Sequence, residues 1–441
     1  MLILSLDHGM RTRVRGPAIL FILLIAIQPL AAQTKPALQS FPELTPLPLA
    51  EQLSTTREPL AVETMVDAAL QFSGAPEDVS AADKDKLAAL MKRFRDEVAD
   101  LTGQEELAEK TLIFLHRNLL TTYTERQTRI DTALETGVFN CVSSAVLYMI
   151  LAKSVALSVG GVRTVDHVFC TVMISGEPVD VETTNPYGYN PGTRKEFSDS
   201  FGKVTGFSYV PPSNYHDRRV IGEKELLALI LYNRVSEYTA GRYYRDAVGP
   251  SVSAYALMGN DEFRGFMVTA FSNYVTWMAS RRDFPRAIQF TDVVKASFGG
   301  TVDLEPRRRE VYHNWAVSLI QANALVDAEA LLSQPPVRSS LGDEDWTGLS
   351  IAVIQSRADQ ETRGAGFLAA AQIVTDGIRK IGAQPLLLQT YEAYMHDAFA
   401  QLYNARKLAD ARAVIDQGLA AYPESRILGQ DRDMLRRTPP R

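Results

Sequence analysis

Cys141 occupies the position in this sequence that most favours nucleophilic chemistry. It follows the turn-forming residues Gly137 to Asn140 and begins the apolar run CVSSAVLYMILAKSVAL, which predicts a helix from Cys141 to about Val155. Unsatisfied backbone N–H groups and the positive end of the helix dipole stabilise a thiolate at such a helix start. Asn140 can act there as the helix cap or as an amide donor beside the thiol. The alternative interpretation is a buried cysteine that serves only as a small apolar side chain.

Two segments of strand character follow this helix and carry further polar groups. Residues 162–174 are rich in β-branched side chains and contain His167 within the segment DHVFCTV. Residues 175–178 predict a turn, and residues 179–184 (VDVETT) alternate as the return strand of a hairpin. Because side chains alternate across a strand, His167 and Cys170 are expected on opposite faces.

The hairpin supplies the partners that a cysteine nucleophile needs. Asp180 and Glu182 share one face of the return strand. In a cysteine–histidine–acid site the thiolate attacks, the imidazole activates it and protonates the leaving group, and a carboxylate orients the imidazole. Cys141, His167 and Glu182 are therefore the predicted catalytic triad, with Asp180 as the alternative third member.

The remaining residues with reactive side chains predict no further site. Cys141 and Cys170 are the two cysteines of the chain, which is too few for a four-cysteine zinc site. In an oxidising compartment the alternative to a free Cys141 thiol is a disulfide between these two residues. The other histidines are scattered without metal-ligand spacing, so we expect no metal and no cofactor. Tyr187 and Tyr189, in the loop after Glu182, are predicted either to line a substrate cleft or to pack as a surface loop.

These residues fall within a predicted α+β domain over residues 61–222. Apolar side chains recur with helical spacing from about residue 61, and residues 105–122 predict a strong amphipathic helix. The hairpin described above gives this domain its small antiparallel sheet. From residue 223 onward every segment has helical spacing again.

A repeat organises that second half, residues 223–431. An aromatic residue or leucine followed three positions later by alanine recurs five times, at spacings of 40, 41, 42 and 41 residues: Tyr244/Ala247, Phe284/Ala287, Leu325/Ala328, Phe367/Ala370 and Leu408/Ala411. A small alanine lets one helix approach its neighbour, and the larger residue fills the joint. The pattern predicts an all-α array of stacked helical hairpins that resembles tetratricopeptide repeats, although the usual repeat has about 34 residues. The alternative is an irregular helical bundle, and residues 432–441 are left as a tail.

The segment from about Ala108 to Pro191 resembles the transglutaminase-like superfamily, which has a papain-related fold. That family has a Gly-x-Cys-type turn that opens a core helix, a strand with histidine followed by an aromatic residue, and a strand ending in Asp-Pro-Thr. The matching segments here are GVFNCVSSAVLYMILAKSVAL, DHVFCTV and VDVETT. Cys141 and His167 match the family positions directly, whereas Glu182 stands in the place of the family's aspartate. The resemblance implies a papain-like, transglutaminase-type domain that acts on amide bonds through a thioester.

The first 32 residues predict an export signal. Three arginines precede the ten-residue apolar run AILFILLIAI, and small residues suitable for cleavage follow near Ala32. The run is short for a transmembrane helix, which needs about 20 residues, although an uncleaved membrane anchor is the alternative. Met10 is an alternative start to Met1. We expect a bacterial protein in the periplasm or secreted, in which the proline-rich residues 33–60 form an extended linker.

Composition narrows the possible functions. The net charge of −6 and the absence of a Lys/Arg stripe exclude a typical nucleic-acid binder. Two hypotheses remain. The first is an exported enzyme that performs peptide or amide hydrolysis or acyl transfer, with repeats that bind a protein partner or substrate. The second is a non-catalytic protein-interaction scaffold whose transglutaminase-like domain has lost activity, and the intact Cys–His–acid set favours the first.

Overall fold

Helices form most of the structure, and two small sheets lie among the helices of its first half. The computed structural model describes residues 40–193, 195–206 and 217–438. The predicted signal segment 1–32, with the alternative start Met10, lies outside these described residues. From Phe41 onward the described chain belongs to one compact unit. The predicted mixture of α and β structure followed by a helical array is confirmed.

The described residues up to 206 contain seven α-helices: α1 Pro48–Thr55, α2 Val62–Ser73, α3 Glu77–Glu97, α4 Gln104–Asn118, α5 Ile130–Thr136, α6 Cys141–Ser154 and α7 Lys195–Thr205. Helix α6 is the centre of this half, because every residue from Val142 to Ala152 is buried. A helix that is apolar all round must be covered on all sides. Helices α2, α3, α4 and α5 supply much of that cover.

In the described residues, six short strands make two sheets: β1 Thr122–Tyr123, β2 Val138–Phe139, β3 Val159–Arg163, β4 Val168–Ile174, β5 Glu177–Val181 and β6 Arg219–Ile221. Strands β1 and β2 pair in parallel, and the other four form an antiparallel sheet in the order β5-β4-β3-β6. The single strand predicted over residues 162–174 is wrong, because residues 164–167 form a turn between β3 and β4. The predicted hairpin turn is tighter than expected, with Ser175 and Gly176 at positive φ.

Eleven α-helices follow in the described residues: α8 Glu223–Ala240, α9 Tyr244–Met258, α10 Asp261–Ser280, α11 Phe284–Phe298, α12 Glu305–Gln321, α13 Leu325–Leu332, α14 Pro335–Gly364, α15 Phe367–Ile381, α16 Pro385–Asn404, α17 Leu408–Ala421 and α18 Arg426–Arg436. Each of the five predicted aromatic-or-leucine positions is the first residue of the second helix in a hairpin. The five alanines three positions later are all buried. Helix α18 continues into the segment predicted as a tail, and α14 bends at Gly342.

The turns of this array repeat as well as its helices. In four hairpins a residue two positions before the second helix has a left-handed backbone, with φ between 61° and 63°: Arg242, Arg282, Asn323 and Arg406. The same turn conformation therefore recurs at the same place in each of these hairpins. Such recurrence is typical of a repeat architecture and not of an irregular bundle.

The proline-rich stretch before residue 61 differs from the predicted extended linker, because residues 48–55 form α1. Pro48 is its first residue, a position where proline is favoured in helices. Ala50 and Leu53 are buried, and α1 packs against α9. The ring of Phe41 lies 5.6 Å from the ring of Phe290 in α11. Residues 41–55 therefore lie along the helical array.

The two halves share a core across the predicted boundary at residue 223. Leu226 to Leu231 of α8 are buried in the same apolar cluster as α6, and this cluster continues to Phe263. At the start of α8, the Glu223 carboxylate pairs with Lys153 of α6 and accepts the backbone N–H of Leu60. Helix α8 is therefore packed and charge-paired against the central helix of the first half.

The repeat packing predicts the effect of enlarging a buried alanine. Ala328 is fully buried in the short helix α13, so Ala328→Phe should force the neighbouring helices apart and lower the free energy of unfolding by roughly 1–3 kcal/mol. Urea unfolding monitored by circular dichroism measures this. Val326 in the same helix is 77% exposed, so Val326→Phe is the matched control and should leave stability nearly unchanged. Equal stability of both variants would contradict the packing described here.

Candidate active site

Helix α6 begins at Cys141, and Asn140 is its N-cap. Asn140 Oδ1 accepts the backbone N–H of Ser143 at 3.0 Å, and the Ser143 hydroxyl oxygen accepts the backbone N–H of Asn140 at 2.9 Å. This reciprocal pair is a capping box, which fixes the entry of the chain into the helix. The half-buried thiol of Cys141 therefore projects from the first turn of a firmly capped helix.

Both ends of the Asn140 side-chain amide are engaged in hydrogen bonds, the oxygen in the cap and the nitrogen with two other residues. Its Nδ2 donates to the Glu125 carbonyl oxygen at 3.0 Å and to Thr128 Oγ1 at 2.6 Å. Asn140 is thus the helix cap and not a free amide donor beside the thiol. The backbone N–H groups of Cys141 and Val142 precede the first intrahelical hydrogen bond, so they are the donors left at this helix start.

His167 lies in the turn between β3 and β4, one residue before β4 begins, and not within a strand as predicted. The backbone N–H of Thr164 closes the turn by donating to the His167 carbonyl oxygen at 2.9 Å. The imidazole lies in the same cleft as Cys141, close enough for that side chain to raise its pKa, and its Nε2 lies 2.7 Å from Glu182 Oε2. The carboxylate therefore occupies Nε2, and Nδ1 is the nitrogen left to serve the thiol.

Glu182 is the carboxylate that meets the imidazole. It follows β5 directly and is only 4% exposed. Its second oxygen, Oε1, accepts the backbone N–H of Thr184 at 3.1 Å and the Thr184 hydroxyl at 2.7 Å. Both carboxylate oxygens are therefore occupied, and the side chain has a single defined orientation.

Asp180, the alternative third member, is engaged elsewhere. Its two oxygens form a bidentate ion pair with Arg218, each at 2.6 Å. The Arg218 guanidinium also lies over the Phe169 ring at 5.4 Å. Of the two candidate acids, the structure brings only Glu182 to His167.

Charge in the site follows from this pairing. Burial disfavours the protonated imidazole, but Glu182 and Cys141 outweigh burial and raise the pKa of His167 well above its usual 6.5. Burial also disfavours the Glu182 carboxylate, yet His167 and Thr184 lower its pKa below the usual value. The two side chains therefore form an imidazolium–carboxylate pair at neutral pH. A positive ring beside Cys141 stabilises negative charge on its sulfur.

Cys170 is a different kind of cysteine. It is completely buried in β4, where its Sγ lies 3.4 Å from the Ala145 carbonyl oxygen of α6. Burial, with the nearby Glu182 charge, raises the pKa of this thiol. Both cysteines are free, so the alternative Cys141–Cys170 disulfide is not formed.

The segment after β5 is held by residues that the sequence did not single out. His116 of α4 donates from Nε2 to the Thr183 carbonyl oxygen at 3.0 Å, and the Thr183 hydroxyl meets the Ser144 hydroxyl at 2.9 Å. The Glu182 backbone N–H donates to the Gly188 carbonyl oxygen at 2.8 Å. Any Cβ at position 188 would overlap the Glu182 carbonyl oxygen, so this loop closes only on glycine.

The partly buried His116 predicts a pH effect on stability. Burial lowers its pKa from 6.5 to about 4 in the folded protein. Between these two pH values the unfolded chain binds a proton that the folded chain does not, so this contribution to stability is complete above pH 6.5 and is lost as the pH falls toward 4. His116→Gln keeps a donor for Thr183 but has no group that titrates. Over this pH interval its free energy of unfolding should therefore fall by about 3 kcal/mol less than that of the wild type. Urea unfolding at pH 4, 5, 6 and 7 measures the difference, and parallel curves would refute it.

Tyr123 of β1 is a second residue that the sequence did not reveal. Burial and the proximity of Cys141 raise the pKa of its phenol, which keeps it a hydrogen-bond donor at neutral pH. Its ring packs edge-on against Phe139 at 5.9 Å. The pairing of β1 with β2, across the fourteen residues between the two strands, brings it to the nucleophile.

Cys141 and His167 open into a cleft of about 650 Å³. Tyr123 and Arg126 line it on one side, the β3–β4 turn and α7 contribute further lining, and α8 forms the facing wall. Tyr187 and Tyr189, predicted as possible lining residues, are not part of it. Tyr187 is 45% exposed, and Tyr189 is buried beside β5, where it bridges to Val181.

No protein-family model, curated protein or solved structure matches this chain significantly. Within the described part of the chain, no group of three or more histidine, cysteine, aspartate or glutamate side chains is placed to hold a metal ion. The described helices also include none with the length and apolar character needed to cross a membrane.

Proposed function

We propose that this chain is a transglutaminase-like cysteine enzyme that acts on amide bonds through a thioester. The observation that carries the proposal is the grouping of Cys141, His167 and Glu182, in which Cys141 and His167 line one cleft and Nε2 of the imidazole meets the buried Glu182 carboxylate. A thiol, an oriented imidazole and a buried acid are the parts needed for acyl transfer. The open cleft at Cys141 gives a substrate access to the sulfur.

Acylation would begin with the Cys141 thiolate beside the His167 imidazolium. The sulfur attacks the amide carbon, and the carbonyl electron pair moves onto oxygen. When the tetrahedral intermediate collapses, the C–N bond breaks and the leaving amine takes the proton from His167. The products of this half-reaction are a thioester on Cys141, a free amine and a neutral imidazole.

The developing oxyanion has donors at the same helix start. The backbone N–H groups of Cys141 and Val142 are left without acceptors in the helix, and the α6 dipole favours negative charge at this point. The Tyr123 phenol lines the same cleft and is a further donor.

Deacylation would use His167 as the base. Water or an amine gives a proton to Nδ1 while it attacks the thioester carbon, and collapse releases a carboxylic acid or a new amide. The thiolate and the imidazolium are restored. Hydrolysis and acyl transfer therefore share every residue and differ only in the second nucleophile that enters the cleft.

The helical array would bind the protein substrate or a partner. It carries its own groove of about 360 Å³ between α10, α11 and α12, with Asn314, Ser318 and Gln321 among its polar lining. Side-chain amides and hydroxyls of this kind can hydrogen-bond an extended peptide. We also propose export to the periplasm or the exterior, on the basis of the N-terminal segment.

An activated ester tests the proposal without knowledge of the natural substrate. On incubation with p-nitrophenyl acetate, the full chain should release nitrophenolate in a burst and gain one acetyl group on Cys141, seen by intact-mass and peptide analysis. Steady-state release should follow, and His167→Ala should abolish it. Casein with dansylcadaverine then distinguishes acyl transfer from hydrolysis. Acetylation of Cys141 at the rate of a free thiol, unaffected by His167→Ala, would instead indicate the non-catalytic scaffold.

A further inference from the structure

The cap that positions Cys141 is itself held from the helical array. Thr128 Oγ1 accepts two hydrogen bonds, from Asn140 Nδ2 at 2.6 Å and from Asn233 Nδ2 at 2.9 Å. Thr128 is 2% exposed and Asn140 is 1% exposed, so little water competes for these bonds. A chain of polar contacts therefore links α8 to the residue that precedes the nucleophile.

The orientation of the Asn140 amide decides whether α6 is capped. With Oδ1 toward the Ser143 N–H the cap is made, whereas the reverse orientation would set Nδ2 against that N–H and leave two donors unsatisfied. Thr128 favours the capped orientation while its hydroxyl oxygen faces Nδ2 as an acceptor. Asn233 donates to the second lone pair of the same oxygen and thereby keeps the hydroxyl in this role.

Asn233 is placed where α8 faces the site. It lies about three helical turns beyond Glu223, the residue that pairs with Lys153 at the other end of α6. It is half-buried and lines the cleft together with Tyr232. Its side-chain amide donates to Thr128 and not to the thiol, so its influence on Cys141 passes through Thr128 and Asn140.

We infer that Asn233 is a positioning residue for the nucleophile, through which the first helix of the array sets the reactivity of Cys141. The inference rests on the proposed function, since it assigns a role within that same site. Its consequence is that a molecule that displaces α8 would change the reactivity of the thiol without touching it.

The test measures how fast iodoacetamide alkylates Cys141 in the full chain between pH 5.5 and 9. Asn233→Ala should lower the rate at pH 7 about fivefold, which corresponds to the loss of one ordinary hydrogen bond. Thr128→Val should lower it at least as much, and the double variant should be no slower than Thr128→Val alone. Thr239→Ala, a half-buried polar site on the same helix outside the cleft lining, should alkylate at the wild-type rate.

Three results would overturn the inference. A wild-type rate for Asn233→Ala at every pH would show that α8 does not influence the thiol. Equal slowing by Thr239→Ala would indicate a general disturbance of the helix, and additive effects of Asn233→Ala and Thr128→Val would exclude a relay. If Asn233→Ala melts below the assay temperature, Asn233→Asp replaces it, because it keeps the side-chain size and removes the amide donor. Alkylation needs no turnover. An absence of p-nitrophenyl acetate hydrolysis would therefore reject the proposed enzymatic function, while the alkylation rates of the variants could still be compared.

Discussion

Iodoacetamide should modify Cys141 in the folded protein and leave Cys170 untouched. Cys141 is half-buried at the mouth of the cleft, with a charged imidazole beside it, whereas Cys170 is fully enclosed between β4 and α6. A buried thiol reacts only when the structure opens, which slows its reaction by roughly a thousandfold for an opening free energy of about 4 kcal/mol. Peptide mapping after alkylation at pH 6 to 7, where an ordinary thiol is largely protonated, measures both rates.

The single-cysteine variants serve as controls for this result. Cys170→Ser should leave the labelling rate unchanged, and Cys141→Ser should reduce labelling to that of the buried thiol. His167→Ala should slow the labelling of Cys141 at neutral pH about tenfold or more, because the positive charge beside the sulfur is removed. Equal slow labelling of both cysteines in the wild type would exclude Cys141 as an activated nucleophile.

Glu182→Gln should abolish most turnover, whereas Asp180→Asn should retain most of it. The amide oxygen introduced by Glu182→Gln would still accept the two Thr184 hydrogen bonds, and the amide nitrogen would then donate to His167 Nε2. That contact fixes the imidazole in the tautomer with the proton on the wrong nitrogen. In a serine-protease triad the equivalent change lowers kcat about 10⁴-fold, so we expect a loss of at least about a hundredfold with p-nitrophenyl acetate.

Asp180 provides the matched comparison on the same strand. Its bidentate partner is Arg218, so Asp180→Asn weakens an ion pair that does not include the imidazole. We expect less than about a fivefold change in turnover, because the partly exposed pair contributes on the order of 1 kcal/mol. The reverse ranking of the two variants would assign the orienting role to Asp180. If neither variant changed turnover, the cysteine–histidine–acid mechanism would have to be rejected.

Local patterns in the sequence predicted the start of helix α6 at Cys141 well and the backbone position of His167 less well. The start of α6 follows from a capping residue and an apolar run, both adjacent to Cys141, so the helix boundary was predictable. The turn at residues 164–167 was not, because it contains neither glycine nor proline and β-branched residues continue on both sides of it. His167 was therefore expected within a strand, although its partners were expected correctly.

Contacts between distant segments account for what the sequence did not predict. The sequence placed Glu182 ahead of Asp180 but kept Asp180 as an alternative, because the partner that engages Asp180 is Arg218, 38 residues later. His116 reaches Thr183 across 67 residues. The repeat, by contrast, is a local pattern that recurs, so the first residue of all five second helices was located from spacing alone.

The hydrogen bonds that link α8 to Asn140 through Thr128 also matter while the chain is being synthesised. The ribosome synthesises Cys141 about ninety residues before Asn233, an interval of roughly 5 to 20 seconds at ordinary rates of synthesis. During that time the thiol exists without Asn233 and without the facing wall of its cleft. A nascent chain, or one released early by a premature stop codon before α8, would carry an unpositioned cysteine. The full reactivity of Cys141 would therefore appear only in chains that have been translated through α8.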